Sequence, residues 1–368
     1  MNDPYSLTNI QHLVPYQMRR IIEDTPVAYV PVGTLEWHGE HLPLGVDSLI
    51  AYALLSRAAA GTGGAVLPPS PVSCGLLKFP FSFDYGQTLL DKTVRKTLDQ
   101  LCEDGFRFIV VMTGHGPMDQ IHIIKAACED LMAKHSSIQA WALCWFELLV
   151  DTDEESIIDH AAKVETSLMQ ELWPDLVDIS RLSDNPEEYP VGVYGRNPRF
   201  TASPDWGRRM VDHIVKRLSI GVSSLLRGSR VDNYSDLRAF IKKHWSKPLQ
   251  VKGPYRSNRQ RTEFEVFNDS TYSRFISSVV RVEIDGKPVP LEAISFKNTS
   301  PGEEGHWQQG VRLSRTRGFY IRREQYGTVR VNGVTLSGNS HSLSMNLQLA
   351  GVLDSIIKGM LIRAAHTA

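Results

Sequence analysis

Phe106-Arg-Phe-Ile-Val-Val-Met112, continued by Thr113-Gly114-His115-Gly116-Pro117, is the stretch that decides the fold. Six of its first seven residues are apolar, three of them β-branched, and a glycine closes the run. Such a run reads as a strand buried on both faces rather than one with a wet side. A strand of this kind belongs in a parallel sheet with helices packed above and below it.

Working outward, VAYVPV at Val27–Val32 reads the same way, residues 65–67 form a short strand, and residues 139–146 a fourth. Helical patterns lie between them at 48–60, 89–103, 119–134 and 154–172, the last ending at Pro174. Strand and helix alternate, which predicts a layered α/β fold with a mainly parallel central sheet. In such sheets ligands bind outside the carboxyl ends of the strands. A helix at about 204–226, with Met210, Ile214 and Leu218 at a spacing of four, closes this block. Residues 227–234 gather Gly, Ser, Asp and Asn and read as a linker.

After 236 the texture changes. A short helical piece (237–244) precedes strand-like runs at 263–267, 278–284, 291–296, 311–313, 319–322 and 328–331. Asp285-Gly286, Asn332-Gly333 and Gly338-Asn339 punctuate them as turns, so antiparallel hairpins in a smaller, sandwich-like β-rich domain are expected. An amphipathic helix at 347–365 ends it. The length of 368 residues favours two domains, which we place at 1–230 and 231–368.

Composition narrows the function classes. Lys and Arg number 40 against 41 Asp and Glu, and this balance weighs against a nucleic-acid binder. The first residues lack a basic segment followed by an apolar run, and no stretch is apolar enough to span a membrane, so a cytoplasmic protein is expected. Cys74, Cys102, Cys128 and Cys144 show no metal-type spacing and read as reduced thiols.

Residues of the metal-ligand type cluster after the predicted strands. Glu36 and His38 follow the first strand two positions apart, so an extended backbone sends both side chains to one side. Asp47 stands at the start of the next helix, where a carboxylate is also a good N-terminal cap. His115 follows the strongest strand among glycines, and His160 and Glu165 lie on the predicted 154–172 helix. Five residues turn a helix by roughly 500°, so those two need not share a face. Each residue alone has a plainer explanation: loop charge, cap, or wet helix face. Their recurrence where successive strands end argues against coincidence. Carboxylate and imidazole ligands without thiolate suit Zn²⁺, Mn²⁺ or Fe²⁺.

The segment at 30–47 (VPVGTLEWHGEHLPLGVD) resembles the signature of the creatininase family. Residues 108–116 are similar to that family's strand ending in Asn-Gly-His, residues 160–179 to its His…Glu-Thr-Ser segment, and FTASPDWG at 200–207 to a late element. The matches cover about residues 10–227 in order; the C-terminal third lies outside them. The resemblance implies a layered α/β fold, a homo-oligomer, often a hexamer, and one or two divalent metals. It assigns Glu36 and His115 to one metal and His38 to the other, with Asp47 bridging. Glu165 matches a carboxylate that ligates metal in some members, and His160 a histidine of proton transfer. A further family carboxylate two residues beyond His115 is here Pro117, which makes Glu165 the expected replacement. Trp37 and Phe81 depart from the family's usual Gln and Gly and, with His41, are expected to touch substrate; simple packing is the alternative for Trp37 and Phe81.

The function so implied is hydrolysis of a small cyclic substrate by attack of activated water on a ring carbonyl. His160, near an ordinary histidine value of about 6.5, would protonate the leaving atom. The β-rich extension inclines the reading toward the cyclic diketone 3-dehydro-scyllo-inosose. A creatininase-like cyclic amidohydrolase or a deformylase is the alternative within the class. A non-catalytic metal- or ligand-binding module, and an extension that mainly builds the oligomer, are the alternatives outside it.

Overall fold

The computed structural model describes residues 8–240, apart from 153–157, 187 and 189, and beyond 240 separate short pieces between 249 and 348. The chain divides into two compact units, Met1–Ala239 and Phe240–Ala368.

In the first unit, β1 (Val27–Val32), β2 (Ala65–Val66), β3 (Phe108–Thr113) and β4 (Gln139–Cys144) make a parallel sheet in the order β2-β1-β3-β4. All six residues of β1 are buried, as a strand covered on both faces requires. Ala28, Val30 and Val32 of β1 and Ile109 and Val111 of β3 face one side. They pack with Leu90, Val94, Leu98 and Leu101 of α3 (Gln87–Glu103) and Ile124, Cys128 and Leu131 of α4 (Met118–Lys134). The apolar positions of α3 recur at helical spacing, so a single stripe is buried. Met18, Ile21 and Ile22 of α1 (Pro15–Asp24) close the margin.

The other face is covered by α2 (Val46–Thr62) and α7 (Pro204–Leu226), with α5 (Lys163–Leu172) beside them. The Tyr29 hydroxyl of β1 meets Thr62 Oγ1 of α2 at 2.5 Å. The indole of Trp141 in β4 fills the space at Gly221 of α7, where an added Cβ would lie 2.5 Å from the ring. From β1 the chain crosses to β2 on one side and then returns to β3 on the other. That reversal opens a crevice at the carboxyl ends of β1 and β3, the usual place for a ligand in an open α/β sheet.

The short helices α6 (Pro198–Thr201) and α8 (Ser235–Phe240) flank α7. Between α7 and α8, the expected linker is bound to the sheet rather than loose. Asn233 accepts the Ala142 N–H at 2.6 Å and donates to the Ala140 carbonyl at 3.0 Å, imitating a neighbouring strand along the exposed edge of β4. Lys125 is 1% exposed and binds the Ala142 carbonyl (2.7 Å), the Asn233 carbonyl (2.5 Å) and Glu147 (2.9 Å). A buried ammonium persists only when its donors are matched in this way.

Two local expectations change. The predicted 154–172 helix begins at Lys163; its stretch 154–157 lies outside the described residues, and His160 is extended and pairs with Tyr194. Asp47 does not cap α2. Gly45 holds the cap position, and Asp47 sits inside the first turn with its carboxylate turned toward the strand ends.

The second unit contains antiparallel ladders. Tyr326–Asn332 pairs with Arg261–Phe267 and with Ile294–Lys297, while Ser278–Ile284 pairs with Lys287–Val289 and Leu343–Gln348. Asp285, at φ 51°, begins the turn between two of these strands. The expected strand at 311–313 lies outside the described residues, as do 349–365 of the terminal helix and 241–244 of the short one. Residues 347 and 348, the start of the expected helix, lie in the strand Leu343–Gln348.

Candidate metal centre

The loop leaving β1 carries Glu36 and His38 into the crevice, α2 brings Asp47 from one side, and the end of β3 supplies His115. Close backbone approach makes this possible. A Cβ on Gly33 would stand 2.3 Å from the Ser48 nitrogen, and one on Gly114 would stand 1.9 Å from the Asp47 carbonyl oxygen. Only glycine lets the first turn of α2 rest directly on the ends of β1 and β3. Glu165 reaches the same place from the first turn of α5.

All five side chains are buried: Glu36 and His38 at 0%, Asp47 at 2%, Glu165 at 5% and His115 at 6% exposure. Potential ligand atoms of Glu36, Asp47 and His115 lie within 4.8 Å of one another, and so do those of His38, Asp47 and Glu165. Asp47 belongs to both of these groups, and Glu36, His38 and His160 make a third. Its Oδ1 lies 3.6 Å from His38 Nε2, and its Oδ2 lies 3.1 Å from His115 Nδ1. Glu36 Oε2 is 3.3 Å from His115 Nδ1, and Glu165 Oε2 is 3.6 Å from His38 Nε2.

A second layer fixes each group. Leu77 N–H donates to Glu36 Oε1 at 2.6 Å, and Thr34 Oγ1 donates to Asp47 Oδ2 at 2.6 Å. His38 Nδ1 bonds the Glu36 carbonyl at 3.0 Å, which makes Nδ1 the protonated nitrogen and turns Nε2 to the centre. Ala161 N–H donates to Glu165 Oε2 at 2.6 Å. Around His115, Thr113 Oγ1 accepts the His115 N–H (3.1 Å) and donates to its carbonyl (2.8 Å), while Gln120 Nε2 holds that hydroxyl at 2.9 Å. Yet among the described residues Glu36 Oε2, His38 Nε2 and His115 Nε2 are buried without a hydrogen-bond partner. Buried polar atoms are normally satisfied; Glu36 Oε2, facing His115 Nδ1, and His38 Nε2, facing Asp47 and Glu165, are orphaned where a cation would supply the missing partner.

The electrostatics agree. Three buried carboxylates face two imidazoles, so the site stays short of positive charge even with both rings protonated. Desolvation raises Glu36, and it raises Glu165 well above the carboxylate range. Burial opposes ionisation of Asp47 too, yet His38 and His115 hold it well below its usual value. For His38 desolvation is outweighed by Asp47 and Glu165, and the ring rises to about 10. A proton on His38 thus takes the place that a cation would fill.

His160 sits beside this cluster. Its Nε2 donates to the Trp37 carbonyl at 2.8 Å, and its ring lies 4.3 Å from that of His38. Desolvation and the neighbouring His38 charge push it down to about 3, not the ordinary value expected from sequence. It is therefore neutral, with the proton on Nε2 and Nδ1 as acceptor. His41 is 1% exposed and bonds Thr166 Oγ1 at 2.9 Å; desolvation and His38 lower it to about 4. Trp37 stacks between Phe79 (6.2 Å) and Phe81 (6.5 Å), and Phe81 is 65% exposed with φ at 62°.

The family model described as "Creatininase: Creatinine amidohydrolase" matches residues 12–220. The chain belongs to the creatininase family. The creatinine amidohydrolase of Pseudomonas putida is 30% identical over 209 residues, covering 50% of this chain and 80% of that one. A crystal structure of creatinine amidohydrolase superposes with a TM-score of 0.53 at 24% identity, over 60% of this chain and 99% of that one. A mutant creatininase described as zinc–zinc type gives 0.51 at 25% identity, over 59% and 98%, and a creatininase labelled Mn gives 0.50 at 24% over the same shares. Membership and the convergent ligand groups identify a metal-dependent hydrolase of the creatininase type. Among the described residues no helix is long and apolar enough to cross a membrane. The four cysteines are free thiols.

Sequence reasoning named the five convergent residues and the small residues around His115 but missed Thr34 and Gly33. The glycines beside the ligands were the available signal for close approach. Nothing distinguished Thr34 from an ordinary loop threonine.

Proposed function

We propose that this protein opens the C–N bond of a small cyclic amide, creatinine or a close analogue, at a centre held by Glu36, Asp47 and His115 on one side and His38, Asp47 and Glu165 on the other. The observation that carries this reading is the shared carboxylate of Asp47, with one oxygen toward each histidine. When bound there, divalent cations would acidify water and polarise a substrate carbonyl. Zinc and manganese are the ions expected, from the ligand chemistry and the labels of the related creatininases.

The protein's own groups define the rest. Leu77, Thr34 and Ala161 orient the three carboxylates, and the Glu36 carbonyl fixes the His38 tautomer. Neutral His160 is anchored by its Nε2 to Trp37, so its Nδ1 is the atom suited to accept a proton from water or to hold one in transit to the leaving nitrogen. Trp37 and Phe81 are proposed to meet the substrate, and His41 to brace α5 through Thr166.

The cyclic diketone read from the sequence is kept as a second substrate to assay; the related proteins lend their support to the C–N reaction. Zinc- and manganese-loaded protein should open creatinine or another cyclic amide well above a Glu36→Ala control. No amide turnover above that control would overturn the C–N reading, and turnover of 3-dehydro-scyllo-inosose alone would replace it. A homo-oligomer is expected from the resemblance, and light scattering on the full chain measures the assembly.

A further inference from the structure

We infer that Asp159 is a positioning residue that sets His160 and Glu165 at the metal centre; this rests on the metal-centre reading above. Asp159 immediately precedes His160, and its carboxylate grips the start of α5 with both oxygens. Oδ2 accepts the Val164 N–H at 2.6 Å and Oδ1 accepts the Glu165 N–H at 3.2 Å. The formal cap of α5, Ala162, has no side chain able to do this. Glu165 reaches back in turn, its Oε2 accepting the Ala161 N–H. Two carboxylates thereby close the segment 159–165 on itself, in the manner of a capping box extended by one turn.

The chain inside that closure is strained. Ala161 has φ at 53°, a left-handed conformation that an alanine rarely adopts and that persists only where surrounding bonds over-determine it. The fixed points are visible. His160 exchanges backbone hydrogen bonds with Tyr194 at 2.9 and 2.8 Å, and Gly195 leaves room because a Cβ there would stand 2.6 Å from both Asp159 Cβ and Ala162 Cβ. Asp159 offers no atom to the convergent ligand groups. Its bonds instead tie the amide of Glu165 to the residue next to His160, so one carboxylate sets the spacing of two groups that face His38.

A plain helix cap would contribute stability alone, and a control separates the two roles. Ser203 caps α7 by accepting the Trp206 N–H at 3.3 Å, and α7 carries none of the convergent ligand groups. We would compare Asp159→Ala, Asp159→Asn and Ser203→Ala in the full chain by zinc affinity against a chromophoric chelator, by thermal midpoint, and by crystal structure. Asp159→Ala should bind zinc about 10- to 100-fold more weakly, with the Glu165 carboxylate displaced. Asp159→Asn should recover part of the affinity, because its single oxygen still accepts an N–H. Ser203→Ala should lower the midpoint while leaving zinc affinity unchanged.

Zinc affinity of Asp159→Ala equal to wild type, with Glu165 in place, would overturn the inference. Wild-type protein that binds no zinc would instead overturn the metal reading. The position of Glu165 in the Asp159→Ala crystal would then still decide whether Asp159 positions it.

Discussion

Gly114 lies so close beneath Asp47 that a methyl group on its α-carbon would stand 1.9 Å from the Asp47 carbonyl oxygen. The contact seats the first turn of α2 on the end of β3 and delivers the Asp47 carboxylate to the centre. Gly114→Ala must therefore push α2 away. Overpacking of a rigid site costs about 1–3 kcal/mol and more where backbone blocks the relief. The expected outcome is a lower thermal midpoint together with lost zinc binding. Wild-type metal content in a folded Gly114→Ala protein would contradict the contact.

Asp47 is shared by the Glu36–His115 group and the His38–Glu165 group, whereas Glu165 belongs to the second alone. Asp47→Ala should empty both positions, while Glu165→Gln should weaken the His38 side and spare the His115 side. Metal analysis of dialysed variants reads the difference. Equal loss in the two variants would argue against the bridging role.

His38, raised to about 10, carries a proton at neutral pH when no cation competes. Its unfolded value is about 6.5, so its contribution to the stability of the metal-free fold is full below that pH and is lost as pH rises through about 10. A zinc ion bound at His38 Nε2 would have to displace that proton. Binding near pH 7 should release protons, and affinity should rise with pH between neutrality and about 10. Calorimetry in buffers of different ionisation enthalpy counts the protons, and an uptake would contradict the assignment.

Phe81 adopts the left-handed backbone that glycine prefers, and its ring is 65% exposed. Phe81→Gly relieves backbone strain of about 1–3 kcal/mol while giving up little buried surface, which offsets the extra freedom of glycine in the unfolded chain. Stability and zinc affinity should stay close to wild type while KM for the substrate changes. An unchanged KM would leave Phe81 a surface residue without a role in recognition.

Burial raises the Cys74 thiol to about 11 and the Cys128 thiol to about 12, and lifts Cys144 well above its ordinary value. Native protein at pH 8 should therefore label first at half-buried Cys102, and all four thiols should react on unfolding. Rapid native modification of Cys128 or Cys144 would show that the core opens.

The sheet was legible because β1, β3 and β4 are apolar on both faces, a pattern that few alternatives share. Glu36, His38 and His115 were legible because each follows a strand end beside a glycine or in the loop it opens. The start of α5 was not, since alanines favour helix and nothing in Ala161-Ala162 announces a left-handed turn; the reason lies in Asp159 and the distant Tyr194 and Gly195. Thr34 was hidden for the same reason, as its role exists only once α2 brings Asp47 within 2.6 Å. The low basicity of His160 likewise depends on burial and on its His38 neighbour, which sequence distance does not reveal.

Four buried residues surround the buried Asp47 carboxylate in the manner of a centre for divalent cations. Anomalous scattering at the zinc edge, from crystals of zinc-loaded protein, tests it most directly. Two peaks should flank the Asp47 carboxylate, one beside Glu36 and His115 and the other beside His38 and Glu165. Zinc peaks confined to the surface, with none among these side chains, would contradict it.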